Sequence, residues 1–251
     1  MRLFFHLGLI GLLVFATRVF AVDYRIYSAA GIKVPLIELS QLFNQNQTTY
    51  QILNNFDTAG AAEKKFFEDS QSACVITTQV RIDNALKSGR LQNQGQIPLV
   101  DTLAGLASSA VKKPNIKTAQ DLMNALLAAK SIAFSDPARG ATVGRHFEEV
   151  IKKLDIEKPV LQKAILASDG VETMKLVVEK KVELGITQMS EVIQADRNTL
   201  IGPFPSEFEL ATRYSLYCKN PNDEGLAPFI GLLKSSYGAK VFEYYGLRAV
   251  P

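Results

Sequence analysis

Five short stretches of the chain could hold a solute: "SAAGIK" (28–33), "FDTAGAAEK" (56–64), "SDPARGATVGR" (135–145), "ASDGVETM" (167–174) and "LGITQMSE" (184–191). Each follows an apolar run and carries small residues. Small residues where a strand gives way to a helix let a ligand approach the backbone closely. The first turn of a helix presents unpaired N–H groups and partial positive charge. The chemistry on offer is capture of a small polar or anionic solute by dipoles. In the third stretch Thr142 reads as an N-cap, Val143 and Gly144 as amide donors beside it, and Arg139 as a charged contact.

Other chemistry is excluded by spacing. Gly140 and Gly144 enclose three residues where a phosphate loop needs four, and Arg145-His146 follows in place of Lys and a hydroxyl residue. No Gly-x-Gly-x-x-Gly occurs there, so a dinucleotide fingerprint is absent as well. The chain has two histidines, His6 and His146, and His6 lies in the leader described below. A His-rich metal site is therefore ruled out, and any catalytic triad has one candidate base. His146 sits in an amphipathic run and reads as a helix-surface residue. Asp57, Asp136 and Asp169 occupy loop positions where aspartate most often serves as a turn or cap residue. Ser28 and Ser168 have no base to activate them. The expectation is a protein that is not an enzyme and uses no cofactor.

The elements that must position these loops alternate in type. "YRIYS" (24–28), "YQILNNF" (50–56) and "SACVITT" (72–78) read as strands, each followed by an amphipathic run. A second block follows, with strands at 131–135, 163–167 and 184–187 and helices at 143–154 and 171–181. Thr118 caps a helix over 119–129. Extended stretches at about 97–111 and 208–219 flank that block, and two closing helices lie in 225–247. The fold class expected is α/β, with two lobes, each a mixed sheet flanked by helices, joined by two hinge crossings. The division expected is 22–103 with 215–251 as one lobe and 104–214 as the other. Ligands of open α/β sheets lie where loops leave the strand ends, here in the cleft between the lobes.

The first 21 residues, "MRLFFHLGLIGLLVFATRVFA", read as a cleaved secretory signal: a basic start, a short apolar core and small residues before Val22. The whole chain has a formal net charge of +3. Arg2 and Arg18 fall in the leader and no acidic residue does, so the mature chain is near neutral. That argues against nucleic acid or a membrane surface as partner. In an exported chain Cys74 and Cys218 are permitted to pair, and two buried thiols explain them equally.

The stretches "SAAGIKVPLIELSQLF", "FDTAGA", "AKSIAFSDPARGATVGRHFEEVIKKLDI", "VELGITQMSEV" and "AKVFEYYGL" together resemble periplasmic substrate-binding proteins of ABC importers, of the two-lobed type that includes the molybdate/tungstate binders, in a divergent branch. The resemblance implies a monomer in the periplasm that carries a small anion to a membrane permease. It implies a site at Gly31, at Ala59 with Thr58 beside it, at Val143 with Thr142 adjacent, at Val171 and at Gln188, to which the loops themselves add Ala30, Gly60, Arg139 and Gly170. Gly31 and Ala59 fall where molybdate binders use serines, and Gln188 where they use a tyrosine. A buried oxyanion needs nearly every oxygen satisfied. The losses therefore argue against molybdate, and the small residues suggest an enlarged space suited to an organic carboxylate. Two alternatives are a periplasmic sensor that presents its bound ligand to a receptor, and a hydrolase or lyase on the same scaffold.

Overall fold

The computed structural model describes residues 21–92 and 95–250. The expected leader, apart from Ala21, lies outside the described residues. The chain runs β1 (Val22–Ala29), α1 (Lys33–Gln45), β2 (Tyr50–Asp57), α2 (Ala59–Glu68), β3 (Ser72–Thr78), α3 (Gln79–Lys87) and β4 (Gln96–Ser108). It continues with α4 (Ala119–Ala128), β5 (Ile132–Ser135), α5 (Thr142–Lys153), α6 (Glu157–Leu161), β6 (Ala164–Ala167), α7 (Gly170–Val178) and β7 (Leu184–Gln188). It closes with α8 (Met189–Asp196), β8 (Leu200–Pro203), β9 (Ala211–Cys218), α9 (Leu226–Lys234), α10 (Ser236–Tyr244) and β10 (Arg248–Ala249).

The strands lie in the order β2-β1-β3-β9-β4-β7-β5-β6, with β8 and β10 also paired to β4. β1 is parallel to β2 and β3, and β5 is parallel to β6 and β7. β4 runs antiparallel to β9 through Gln96–Leu103 and to β7 through Ala104–Ser108. The single long strand thus changes partner part-way along and ties two mixed half-sheets together. Each half has its own core. One gathers Ile26, Leu36, Leu39, Leu216, Phe229 and Phe242; the other gathers Leu106, Leu126, Phe134, Phe147 and Ile186.

Helix α5 shows why the second half folds as it does. Val143, Phe147, Val150 and Ile151 recur at helical spacing and are buried, while Lys152 and Lys153 end the helix where cations suit its dipole. Phe147 meets Phe134 of β5 edge to face at 5.0 Å. Burial of such a ring contributes roughly 1.5–3 kcal/mol and docks the N-terminus of α5 at the end of β5. Thr118 caps α4 in a capping box with Asp121. The short elements α6, β8 and β10 are too brief to leave a periodic signal and were not anticipated. Cys74 and Cys218 face each other across β3 and β9 and are disulfide-bonded. No helix among the described residues is long and apolar enough to cross a membrane.

Candidate ligand-binding site

Strand ends from both halves converge on one cavity of about 30 Å³. The end of β1 and the 3-10 turn after it bring Ala29, Ala30 and Gly31. The start of α2 brings Thr58 and Ala59. From the other half come Ser135, Ala141, Thr142 and Val143 at the start of α5, Asp169 and Gly170 at the start of α7, and Thr187, Gln188 and Glu191 around the start of α8. Tyr214 of β9 completes the wall. Among the sequence candidates, Ala30, Gly31, Thr58, Ala59, Thr142, Val143, Gly170 and Gln188 therefore share one cavity.

Gly60, Arg139 and Val171 do not line it. The Gly60 N–H donates to the Gly140 carbonyl at 3.3 Å. Val171 is exposed on α7. Arg139 is turned away from the ligand position: its Nε donates to the Ser168 carbonyl at 2.9 Å, and a terminal nitrogen lies 3.3 Å from Asp57 Oδ1. Thr142 is also not the cap. Ala141 holds the N-cap position, and Thr142 is the first helical residue.

Displacement from the cap leaves the Thr142 hydroxyl buried with no partner. Gln188 is similar: its Nε2 donates to Thr212 Oγ1 at 2.9 Å, while its Oε1 is buried and unpaired. A buried polar atom left unsatisfied costs about 1–3 kcal/mol, so two in one cavity point to a missing partner. A half-turn of the Gln188 amide would present a donor instead and let the Thr212 hydroxyl donate to the oxygen.

Two glycines are fixed by close approach. A Cβ at Gly31 would lie 2.4 Å from the Tyr214 hydroxyl oxygen, and one at Gly170 would lie 2.0 Å from Glu191 Oε2. The expectation that Gly31 enlarges the space is thus overturned, because Tyr214 fills it. Beside Thr58 and Thr142, which the sequence named, the cavity is lined by three further hydroxyl residues, Ser135, Thr187 and Tyr214.

No Lys, Arg or His among the described residues lines the cavity, while two carboxyl groups do. Asp169 caps α7, Oδ1 accepting from the Glu172 N–H at 2.8 Å. Glu191 is buried and accepts through Oε2 from the Thr187 hydroxyl and from the Gln188 N–H at 3.2 Å. Burial pushes its pKa up to about 7; the two hydrogen bonds oppose the rise and the charge of Asp169 adds to it. Burial also raises Tyr214, with the Glu191 charge adding and the Gln188 amide opposing.

Bonds cross the cleft on both sides of the cavity. On one side the Thr58 hydroxyl donates to the Arg139 carbonyl at 2.5 Å, and Arg139 pairs with Asp57. On the other, Ser190 Oγ and Gln194 Nε2 both donate to the Gly31 carbonyl at 2.8 Å, and Gln194 Oε1 accepts from the Val34 N–H at 2.9 Å. The remaining chemical candidates are structural. Asp136 accepts from the Ala138 N–H, Ser28 Oγ donates to the Ala29 carbonyl, and His146 Nε2 lies 2.7 Å from the Phe208 carbonyl oxygen.

Two half-sheets, two cores and a cavity at their converging strand ends define a two-lobed periplasmic-binding-protein fold. Comparison agrees. The family model described as "Bacterial extracellular solute-binding protein" matches residues 24–248, and the chain belongs to that family. The periplasmic molybdate-binding protein of Azotobacter vinelandii shares the fold at a TM-score of 0.71 and 14% identity, over 91% of this chain and 99% of that one. The sulfate-binding protein SubI of Mycobacterium tuberculosis H37Rv gives a TM-score of 0.64 at 14% identity, over 91% and 87%. Among curated proteins, an aconitate isomerase of a Pseudomonas species is 24% identical over 199 residues, 78% of this chain and 74% of that protein.

Proposed function

We propose that the chain is a periplasmic solute-binding protein that captures a small anion, an oxyanion or a compact organic carboxylate, and hands it to an ABC permease. Residues 22–103 and 215–251 form one lobe and 104–214 the other, and closure over the ligand selects the shut state. The observation that carries the reading is the partnerless Thr142 hydroxyl, a donor at the first turn of α5 inside a cavity ringed by helix starts. An anion there would accept from this hydroxyl and from neighbouring amides. The volume is roughly that of two waters, which suits a compact group better than a bulky one. The test is calorimetric titration of the mature protein with molybdate, sulfate, phosphate and small carboxylates. A true ligand at 100 times its dissociation constant should add about 2.7 kcal/mol of stability. The reading fails if none binds. Dependence of a receptor on the loaded form, with no permease partner, would favour the sensor role.

A second reading follows from the isomerase relative. Glu191 is a carboxyl raised to about 7 by burial inside the cavity, a group placed to move a proton along a bound unsaturated carboxylate. Proton NMR of cis- and trans-aconitate incubated with the protein decides it. Interconversion that disappears in Glu191→Ala supports an isomerase, and its absence in the wild type removes the reading.

A further inference from the structure

The cavity poses an electrostatic problem that its hydroxyls and amides do not solve. Asp169 and Glu191 both line it, and no cationic side chain among the described residues does. Asp169 Oδ1 is taken up by its capping bond to the Glu172 N–H at α7. A second carboxylate and a bound anion in the same 30 Å³ space would repel at contact distance with little solvent between them.

Nearby cations are engaged elsewhere. Arg139 is held by Asp57 and the Ser168 carbonyl, and Lys33 lies over the Phe56 ring at 5.9 Å. On the elements packed against α8, Lys175 pairs with Glu172, Arg197 donates to the Tyr244 carbonyl, and Asp101 is shared by Arg213 and Arg248. Tyr214, which faces Glu191 together with Asp169, is held neutral by burial. Both bonds to the Glu191 carboxyl go to Oε2, so Oε1 has no protein hydrogen bond among the described residues.

We propose that Glu191 meets the ligand as a carboxylic acid, donating a hydrogen bond from Oε1, so that each anion is captured together with one proton. The proposal rests on the anion-binding reading and adds the proton to it. Burial has already brought this carboxyl to a pKa of about 7, so protonation near neutral pH demands little. Proton and anion enter together, and the net charge placed in the cavity falls by one.

The probes are sulfate and acetate, compact anions that are ionised above about pH 7. Titration at pH 8 in two buffers of different ionisation enthalpy should show uptake of about one proton per anion bound, and affinity should weaken about tenfold per pH unit above the Glu191 midpoint. Glu191→Gln keeps an acceptor for Thr187 and the Gln188 N–H and carries permanent donors. It should bind with no proton uptake and a flat pH profile. Flat affinity without uptake in the wild type overturns the proposal, as does a folded Glu191→Gln protein that keeps the wild-type slope. If neither probe binds at any pH, the anion-binding reading fails for these ligands, and the carboxyl-carbon NMR titration of Glu191 in the free protein still decides the proton. A midpoint near 7 supports it, and one below 5 overturns it.

Discussion

The cavity and the seam beside it lie within one loop of each other and use opposite electrostatics. Residues 135–145 feed both: Ser135, Ala141, Thr142 and Val143 face the cavity, while Arg139 and Gly140 face the seam. In the cavity the groups are hydroxyls, amides and two carboxyls, with no cation among the described residues. In the seam Asp57 is bound by Lys65 at 2.7 Å and Arg139 at 3.3 Å, and Arg81 pairs with Glu63 at 2.7 Å while reaching the Gly140 carbonyl at 3.4 Å. Cationic charge serves to bring the halves together, and dipoles serve to hold the solute. A seam that is partly wet can shed its ion pairs when the cleft opens.

The largest effect should come from breaking the cavity by shape alone. Gly170 has no unusual backbone angle, so alanine there is acceptable to the helix, yet its Cβ would lie 2.0 Å from Glu191 Oε2 and 2.3 Å from Thr187 Oγ1. Overpacking of this kind costs about 1–3 kcal/mol. Gly170→Ala should lower stability by about that amount and weaken anion binding by about 100-fold, the upper end of the same range. Thermal melts and calorimetry on one preparation check both. Unchanged affinity would show that α7 can give way and that Glu191 does not define the cavity wall.

An effect of comparable size is expected from pH on the ligand-free protein. Glu191 has its pKa raised from 4.5 to about 7 on folding. Between those values the folded chain binds more protons than the unfolded chain, so this contribution to stability falls as pH rises and is fully lost above pH 7. The shift corresponds to about 3 kcal/mol. Urea unfolding at pH 5, 6, 7 and 8 should show the decline in the wild type and not in Glu191→Gln. A wild-type stability rising over that window would contradict the assignment of a buried, uncompensated carboxyl. The seam should behave oppositely: burial alone would raise Asp57, but hydrogen bonds from Lys65 and the Thr58 N–H and the charges of Lys65 and Arg139 outweigh it and hold the carboxyl low. Its contribution is therefore present at neutral pH and lost only in acid.

The contrast between the two regions also explains what could be read from the residues alone. Thr142, Val143 and Gly170 were legible because strand–loop–helix grammar is local. An apolar run, a small residue and an amphipathic stripe such as Val143-Phe147-Val150 lie within a few positions of each other. Tyr214 was not legible. All of β9 from Tyr214 to Cys218 is buried, so no alternation marks which side faces the ligand. Nothing in the stretch 184–191 singles out Glu191, because its surroundings depend on Tyr214, Gly170 and Thr187 arriving from other elements. Arg139 was visible as a charged loop residue, but its role turned on Asp57, 82 positions away. Backbone dipoles follow from local sequence, whereas the pairing of charges is a property of the closed molecule.

The smallest effect, and the one that sharpens the comparison most, concerns Asp57→Asn. The substitution removes the charge that joins Lys65 and Arg139 and leaves the cavity lining untouched, since Asp57 does not border it. The Arg139 and Lys65 side chains are 45% and 49% exposed, so solvent screens both pairs and the loss should be no more than about 1 kcal/mol. The Asp57–Arg139 bond joins the two halves, so under the proposed closure it should be made only when the cleft is shut. Its loss should therefore weaken ligand binding by up to about fivefold through the closing equilibrium. The deficit should shrink as salt is raised from 0.05 to 0.5 M, because the wild type loses the same screened attraction. The deficit of Gly170→Ala, being steric, should not change with salt. Titrations of wild type and both variants at two salt concentrations test the division. Equal salt dependence in the two variants would mean that charge and dipole are not separated between seam and cavity as the geometry implies.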